Sequence, residues 1–345
     1  MSTAIRDGKY RCPQCSGADF DITSTRWTCT GCGRAYACVA GMPKLFLDER
    51  LGAHDRKLRD TFYDGLFGQF YQVMMPVIVM PVRPWSLAWP YWLAYGVTWL
   101  VLVGLAVAGV TLLMTPGEQG AALIPLGLLA ALVLFLVRNR YLGWLMLLAA
   151  PLKWVQSGKP WRADESFADV HARVLEPLRT AGRRLQVLDV STGSCNSLYR
   201  HGWMSLDADY TAIDLSETML KQGNAAMAGY GVGVDLVLGD AVDLPFQPDR
   251  FDVVLSYGAV NGLTDPAKAI AEMARVAKPG GVLLFLDEQM YPSAGPIERA
   301  YFHRVLSSHN VIHHCPVESF PASLTEVTVA QVYQFYYICT ARKAA

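Results

Sequence analysis

The feature that most constrains this chain is a series of four short apolar runs between residues 186 and 258, each ending in a small or acidic residue. Gln186-Val187-Leu188-Asp189-Val190 runs into Ser191-Thr192-Gly193-Ser194-Cys195-Asn196, and Tyr210-Thr211-Ala212-Ile213-Asp214 runs into Leu215-Ser216. Val237-Leu238-Gly239 leads to Asp240, and Phe251-Asp252-Val253-Val254-Leu255-Ser256 leads to Tyr257-Gly258. Apolar runs of strand length alternating with helix-like stretches read as a parallel α/β sheet. Ala267–Ala277 reads as a further helix, Lys278-Pro279-Gly280-Gly281 as its stop, and Val282–Asp287 as a fifth strand. In such a sheet a ligand lies beyond the strand C-termini, where glycine and small residues let backbone come close. A carboxylate there, as at Asp214, can accept both hydroxyls of a ribose, and Asp240 is placed for a nucleobase amino group.

Four stretches carry a family resemblance: Asp214-Leu215-Ser216-Glu217-Thr218-Met219-Leu220, Gly239–Phe246, Tyr257–Asp265 and Arg275-Val276-Ala277-Lys278-Pro279-Gly280-Gly281. Together they resemble the class I methyltransferases, most closely the ubiquinone/menaquinone C-methyltransferase branch and its plastid relatives. The resemblance implies an α/β, Rossmann-like seven-stranded domain with an antiparallel last strand, for which Glu326–Tyr333 and Phe335–Arg342 are the candidate hairpin. It also implies S-adenosylmethionine as cofactor, held by Asp189, Ser191, Gly193, Asp214, Leu215, Met219, Asp240, Ala241 and Tyr257. Two departures stand out. Ser191 and Cys195 occupy positions where the family has glycine, and Cys195 adds a side chain where backbone is expected to approach the ligand. Val260 replaces the family's arginine before Asn261.

Methyl transfer is an in-line displacement from a sulfonium, so the protein mainly positions the acceptor and excludes water. A base is needed only where the acceptor must lose a proton. The acceptor is expected beyond the fourth and fifth strands, near Tyr257, Asn261, Glu288 and Tyr291, with Asn261, Tyr257 and His303 as catalytic candidates. His303, His309, His313 and His314 lie in a segment that could fold over this mouth, where each could equally be a solvent-facing or capping residue.

At the other end of the chain, Cys12-Pro13-Gln14-Cys15 and Cys29-Thr30-Gly31-Cys32 form two C-x-x-C pairs. Four thiolates at this spacing suit a tetrahedral zinc, and so small a segment needs the metal to fold. Free thiols are the alternative. Cys29–Asp48 resembles the small zinc-ribbon activators of methyltransferases and the ribbon that opens certain ribosomal RNA guanine methyltransferases. The remaining cysteines are scattered, a pattern of metal binding in a reducing compartment rather than of a disulfide framework.

Composition matters most in the middle. Hydrophobic residues make up 52% of the chain and charged residues 17%, and from Tyr91 to Val137 the only charge is Glu118. Tyr91–Met114 and Ala121–Val137, joined by Thr115-Pro116-Gly117-Glu118-Gln119-Gly120, are therefore expected to form a transmembrane hairpin. Leu142–Val155 is expected to lie along the membrane interface. With Arg83 before the first run and Arg138 and Arg140 after the second, both termini and the catalytic domain would face the cytoplasm. A buried helical hairpin is the alternative. No secretory signal peptide is visible.

The expected order is a zinc ribbon over 1–50, a lid or linker over 51–85 with Thr61–Tyr71 as lid helix, a membrane hairpin over 86–155 and a methyltransferase domain over 164–345. A lid tied to a bilayer would bring the acceptor mouth to the lipid surface. The leading expectation is methylation of a hydrophobic acceptor, such as a quinone, isoprenoid or other lipid. The ribbon raises RNA as a second acceptor class, but net charge is zero and no basic stripe with interleaved aromatics appears, so nucleic acid is disfavoured. A third reading is a scaffold whose altered glycine loop no longer serves catalysis.

Overall fold

A computed structural model of the chain describes residues 8–65, 68–69, 71, 89–117, 119–138, 165, 167–303, 307, 309–333 and 335–345. It divides into two compact units, one made of Met1–Gln69 with Lys159–Ala345 and the other of Phe70–Gly158.

The first unit opens with a small antiparallel sheet, β1 (Phe20–Ile22), β2 (Arg26–Cys29), β3 (Ala35–Val39) and β4 (Met42–Pro43), in that spatial order. Helix α1 (Ala53–Leu58) follows and widens into a π-turn over Arg59–Tyr63. Helical backbone in the expected lid therefore starts earlier than Thr61 and runs to Tyr63, and Gly68, Gln69 and Tyr71 are helical again.

The second unit contains α2 (Trp89–Met114) and α3 (Leu123–Arg138). They pack closely where Leu126 covers Gly109, since a β-carbon there would lie 2.5 Å from the leucine side chain. Leu100, Val107, Met114 and Leu123 are exposed. The expected integral membrane protein with two spans is corrected here: among the described residues no helix is long and apolar enough to cross a membrane. Helix α3 is 16 residues, roughly 24 Å at the helical rise, against ~30 Å of hydrocarbon. The expected topology, with both termini on one side, falls with the spans. The expected interfacial segment Leu142–Val155 lies outside the described residues.

The remainder of the first unit is a seven-stranded sheet with helices between its strands. In chain order its elements are α4 (Phe167–Arg179), β5 (Leu185–Val190), α5 (Asn196–Arg200), β6 (Ala208–Asp214), α6 (Glu217–Gly229), β7 (Val234–Leu238) and β8 (Phe251–Tyr257). Next come α7 (Pro266–Val276), β9 (Ala277–Glu288), α8 (Pro296–Tyr301), β10 (Leu324–Tyr333) and β11 (Tyr336–Lys343). The spatial order is β10-β11-β9-β8-β5-β6-β7, with β5 to β9 parallel and β11 antiparallel to both neighbours.

The central strands are continuous apolar runs because both faces are covered. Every side chain of β5 is buried except the half-buried Gln186, and only Tyr257 of β8 is not fully buried. Helix starts follow local chemistry. Ser216 caps α6 by accepting from Met219 N at 3.1 Å, and Asp265 caps α7 by accepting from Lys268 N at 2.9 Å, with Pro266 at the first turn. Lys278-Pro279-Gly280-Gly281, expected as a helix stop, belongs to β9. The pairing with β8 jumps from Phe251–Ala277 to Val253–Val282, so these residues form a bulge. Gly281 is required there, because a β-carbon would lie 2.8 Å from the Lys278 carbonyl oxygen.

The ribbon docks on the free edge of β7. Leu45 N donates to Leu238 O at 2.8 Å, Lys44 pairs with Leu238 in a parallel bridge, and Tyr10 bridges Phe246. Trp27, Tyr10, Phe246 and Phe251 continue one aromatic core from ribbon to sheet. Docking covers an edge that would otherwise present unpaired backbone groups.

Candidate functional site

Three carboxylates stand at the ends of adjacent parallel strands. Asp189 on β5 is fully buried; the Thr192 hydroxyl donates to its Oδ2 at 2.5 Å, and the Ser197 hydroxyl donates to the same oxygen. Its other oxygen has no protein partner. Burial pushes this carboxyl up to about 7, opposed by the Ser197 and Thr192 hydroxyls and reinforced by nearby Asp214. An orphaned, buried carboxylate oxygen of this kind fits a cationic donor such as an amino acid's ammonium group. Asp214, ending β6, accepts from Gly193 N and Ser216 N, both at 2.8 Å, and burial raises it to about 6. Its remaining lone pairs can take ribose hydroxyls. Asp240, after β7, accepts from Val242 N at 3.0 Å through Oδ1 and is likewise raised to about 6, chiefly by burial and then by Asp55 and Asp243. Ala241 is buried beside it, Leu215 packs against the core, and Met219 is fully buried on α6.

The loop after β5 alternates unusual backbone. Ser191, Gly193 and Cys195 all have positive φ, at 54°, 56° and 60°. Non-glycine residues resist this region, so two of the three positions carry conformational cost. The Cys195 side chain does not point where the ligand is expected. Its sulfur lies against α6, in the space left open by Gly223, and burial raises the thiol to about 12. It is a small packed side chain, not a reactive one.

The expected lid packs against this site through hydrogen bonds. Asp64 accepts from the Ser216 hydroxyl at 2.6 Å and Thr218 N at 3.1 Å, so the lid contributes an acceptor to the start of α6. Gln222 Nε2 donates to Gly68 O at 2.6 Å, and buried Asp55 accepts from Thr264 N at 3.0 Å. Tyr63 faces Asp214, Glu288 and Asp287; burial and these carboxylates push its phenol upward. Neither Asp64 nor Asp55 carries a signal in the sequence, because their partners lie 152 and 209 positions away.

On the acceptor side the candidates separate. Asn261 is fully buried with its amide engaged: Nδ2 donates to Glu288 O at 2.7 Å, and Oδ1 accepts from the Tyr337 hydroxyl at 3.1 Å. Its carbonyl accepts from Val311 N and Ile312 N, tying the histidine segment to the end of β8. The Asn261 side chain thus joins the end of β9 to Tyr337. The Tyr257 hydroxyl is held by Trp203 Nε1 at 2.8 Å and by His171 Nε2 at 2.6 Å, while His171 Nδ1 meets Phe167 O at 3.1 Å. Burial lowers His171 to about 4. A neutral imidazole with its proton on Nδ1 satisfies every partner, with the Tyr257 hydroxyl donating to Nε2. His171 and Trp203 carried no motif signal in the sequence. His303 is exposed, its ring 5.2 Å from those of Phe302 and His313. His309 is exposed with its ring 5.1 Å from that of Phe62 in the lid, and His314 pairs with Glu318 at 2.9 Å. Asn310 Nδ2 donates to Glu288 Oε2 at 2.9 Å.

The cysteine pairs converge. The sulfurs of Cys12, Cys15, Cys29 and Cys32 all lie within 4.8 Å of one another, with Cys12–Cys32 at 3.7 Å and Cys15–Cys29 at 3.6 Å. A tetrahedron of thiolates about 2.3 Å from zinc has edges of about 3.8 Å, which the Cys12–Cys32 and Cys15–Cys29 separations match. The Tyr36 hydroxyl lies 3.1 Å from Cys12 Sγ. Against the opposing effect of burial, that hydroxyl and the amides of Cys15 and Gln14 bring the Cys12 thiol down to about 7.

Residues 188–285 match the methyltransferase domain family, so the chain carries a methyltransferase domain. It is 39% identical over 34% of its length to a demethylmenaquinone methyltransferase of Renibacterium salmoninarum, covering 46% of that protein. It is 36% identical over 38% of its length to a ubiquinone/menaquinone biosynthesis C-methyltransferase of Roseobacter denitrificans, covering 51% of that protein. The chain thus spans about half the length of the curated relatives it matches. Among solved structures, a phosphoethanolamine N-methyltransferase 2 of Haemonchus contortus aligns over 51% of this chain and 53% of its own, at 14% identity and a TM-score of 0.41.

Proposed function

We propose that this chain is an S-adenosylmethionine-dependent methyltransferase acting on a hydrophobic acceptor of the quinone type. The observation that carries the reading is Asp214, a half-buried carboxylate at the end of β6 that already orders the Gly193 and Ser216 amides and stands on the strand between those of Asp189 and Asp240. In this reading Asp189 holds the ammonium of the cofactor's methionine, Asp214 its ribose and Asp240 its adenine. The bound cofactor supplies a methyl group already activated by its sulfonium. The chain's own work is then to hold the acceptor in line with it and to exclude water. The lid, through Asp64 and Tyr63, shields the site, and the Glu288 end of β9 with its histidine segment forms the acceptor side.

The quinone assignment rests on the relatives' named activities together with the half-length match to them. A structural zinc in the ribbon is part of the same reading, supported by the sulfur spacing. An RNA acceptor gains little support from the ribbon, because several of its basic side chains pair with the chain's own carboxylates: Lys9 with Asp235, Arg11 with Asp243 and Glu272, Arg34 with Glu49, Lys44 with Asp48.

The test is calorimetric titration of the protein with S-adenosylmethionine, beside Asp214→Ala, followed by transfer of labelled methyl to demethylated quinones. Micromolar binding lost in the variant, with label in the quinone, is the expected result. A folded protein that binds no cofactor defeats the reading, and one that binds it but labels only RNA redirects it.

A further inference from the structure

The ribbon and the adenine side of the cofactor site share one short strap. Residues Lys9 to Cys12 lie along the loop that follows Asp240: Gln247 N donates to Lys9 O at 2.8 Å, Arg11 N donates to Pro245 O at 3.0 Å, and Tyr10 pairs with Phe246. Arg11 sits at the centre of this contact. Its guanidinium reaches Asp243 Oδ1 at 2.6 Å, Leu244 O at 3.1 Å and Glu272 Oε2 at 3.2 Å. Glu272 in turn accepts from Leu244 N at 2.9 Å, and Arg275 donates to Leu244 O at 3.0 Å. The 243–245 turn is therefore clamped from both sides, three residues beyond the carboxylate that faces the adenine position. Asp243 is also one of the charges that raise Asp240. The next residue after Arg11 is Cys12, a fully buried member of the thiolate cluster.

We propose that Arg11 is a positioning residue that couples metal binding in the ribbon to cofactor affinity at Asp240. This rests on the methyltransferase and zinc readings above. Tyr10 and Trp27 join the ribbon to the sheet's core, but four thiolates that lose their ion no longer hold Cys12 in its place. The strap then loosens, Arg11 leaves Asp243 and Leu244, and the turn that presents Asp240 is no longer fixed. Coupling between two binding sites is reciprocal, so the cofactor must tighten metal binding by the same factor by which metal tightens cofactor binding.

The experiment titrates S-adenosylmethionine into zinc-loaded wild type, zinc-loaded Arg11→Ala and Arg11→Lys, and chelator-treated wild type, with zinc stoichiometry and melting curves taken on each. Zinc affinity is also measured by chelator competition with and without saturating cofactor. Coupling energies of this kind correspond to about 5- to 150-fold in affinity. The expected result is that Arg11→Ala keeps one zinc per chain and a cooperative melt yet binds cofactor about tenfold more weakly. Arg11→Lys, a point charge without the planar fork, falls between. Saturating cofactor raises zinc affinity in wild type and loses that effect in Arg11→Ala. Unchanged cofactor affinity in zinc-loaded Arg11→Ala overturns the coupling alone, as does zinc competition indifferent to cofactor. Wild type that binds no cofactor overturns the methyltransferase reading as well.

Discussion

The sulfur of Cys195 occupies the notch that Gly223 leaves in α6: a β-carbon on Gly223 would lie 2.7 Å from that sulfur and 3.1 Å from the Ser194 carbonyl carbon. The departure from glycine in the cofactor loop is thus accommodated by a glycine on the opposing helix, and the added side chain faces inward. Gly223→Ala should push the loop toward the ligand and cost about 1–3 kcal/mol, the usual penalty of overpacking, with a cofactor affinity several-fold weaker. Cys195→Gly should remain folded and bind cofactor at least as well, since glycine relieves the φ of 60°. Thermal melts and titrations check both. A Cys195→Gly variant that loses binding would show that the thiol contributes directly.

Asp64 ties the lid to α6. Asp64→Ala removes an acceptor from the Ser216 hydroxyl and Thr218 N and should cost about 1 kcal/mol, as lost caps do. The lid should open more often, so protease cleavage near Gly65 should rise and cofactor should dissociate faster. Unaltered protection from protease contradicts the lid role.

Tyr257 and His171 distinguish packing from catalysis. Tyr257→Phe leaves Trp203 Nε1 and His171 Nε2 without their shared partner, at a cost of about 1–3 kcal/mol in stability. If the tyrosine's role is to hold this cluster, the variant melts earlier while its turnover at saturating cofactor stays within a few-fold of wild type. His171 adds a pH signature. Its folded value, about 4, lies below the ordinary 6.5. Between those values the unfolded chain binds more protons, so this contribution to stability is present above pH 6.5 and is lost as pH falls toward 4. In His171→Asn the acid-side slope of the melting temperature should flatten.

Cofactor affinity should itself depend on pH. Asp189 is raised to about 7 and Asp214 and Asp240 to about 6. Below these values each is protonated, and a ligand that prefers the carboxylate must first displace the proton. Affinity should therefore climb as pH rises from 5 to about 7.5 and then level off. Titration across that range in two buffers of different ionisation heat would show proton release on binding at pH 6. Flat affinity from pH 5 to 8 contradicts the assignment of these groups to the ligand.

Sequence alone determined the strand-and-loop series from Asp189 to Asp240 and the two C-x-x-C pairs, because both depend on local patterning. An apolar run bounded by a small-residue turn, or two thiols spaced to meet one ion, is complete within a few residues. The seven-stranded sheet was implied by the family resemblance, the periodicity itself giving only a parallel α/β pattern. Tertiary structure decided where the side chains of Asn261 and Tyr257 go. Both are drawn inward by partners from distant elements, Tyr337 and Glu288 for the first, Trp203 and His171 for the second. It decided that Cys195 turns toward Gly223, and that Arg11 and Asp64 meet loops roughly 150 to 260 positions away. Such pairings leave no spacing to read, since a hydrogen bond between distant segments depends on how the sheet brings strand ends together and not on order along the chain. Apolar composition likewise marked residues 91–137 as helical, but a composition measures affinity for an apolar surrounding and does not say what supplies that surrounding.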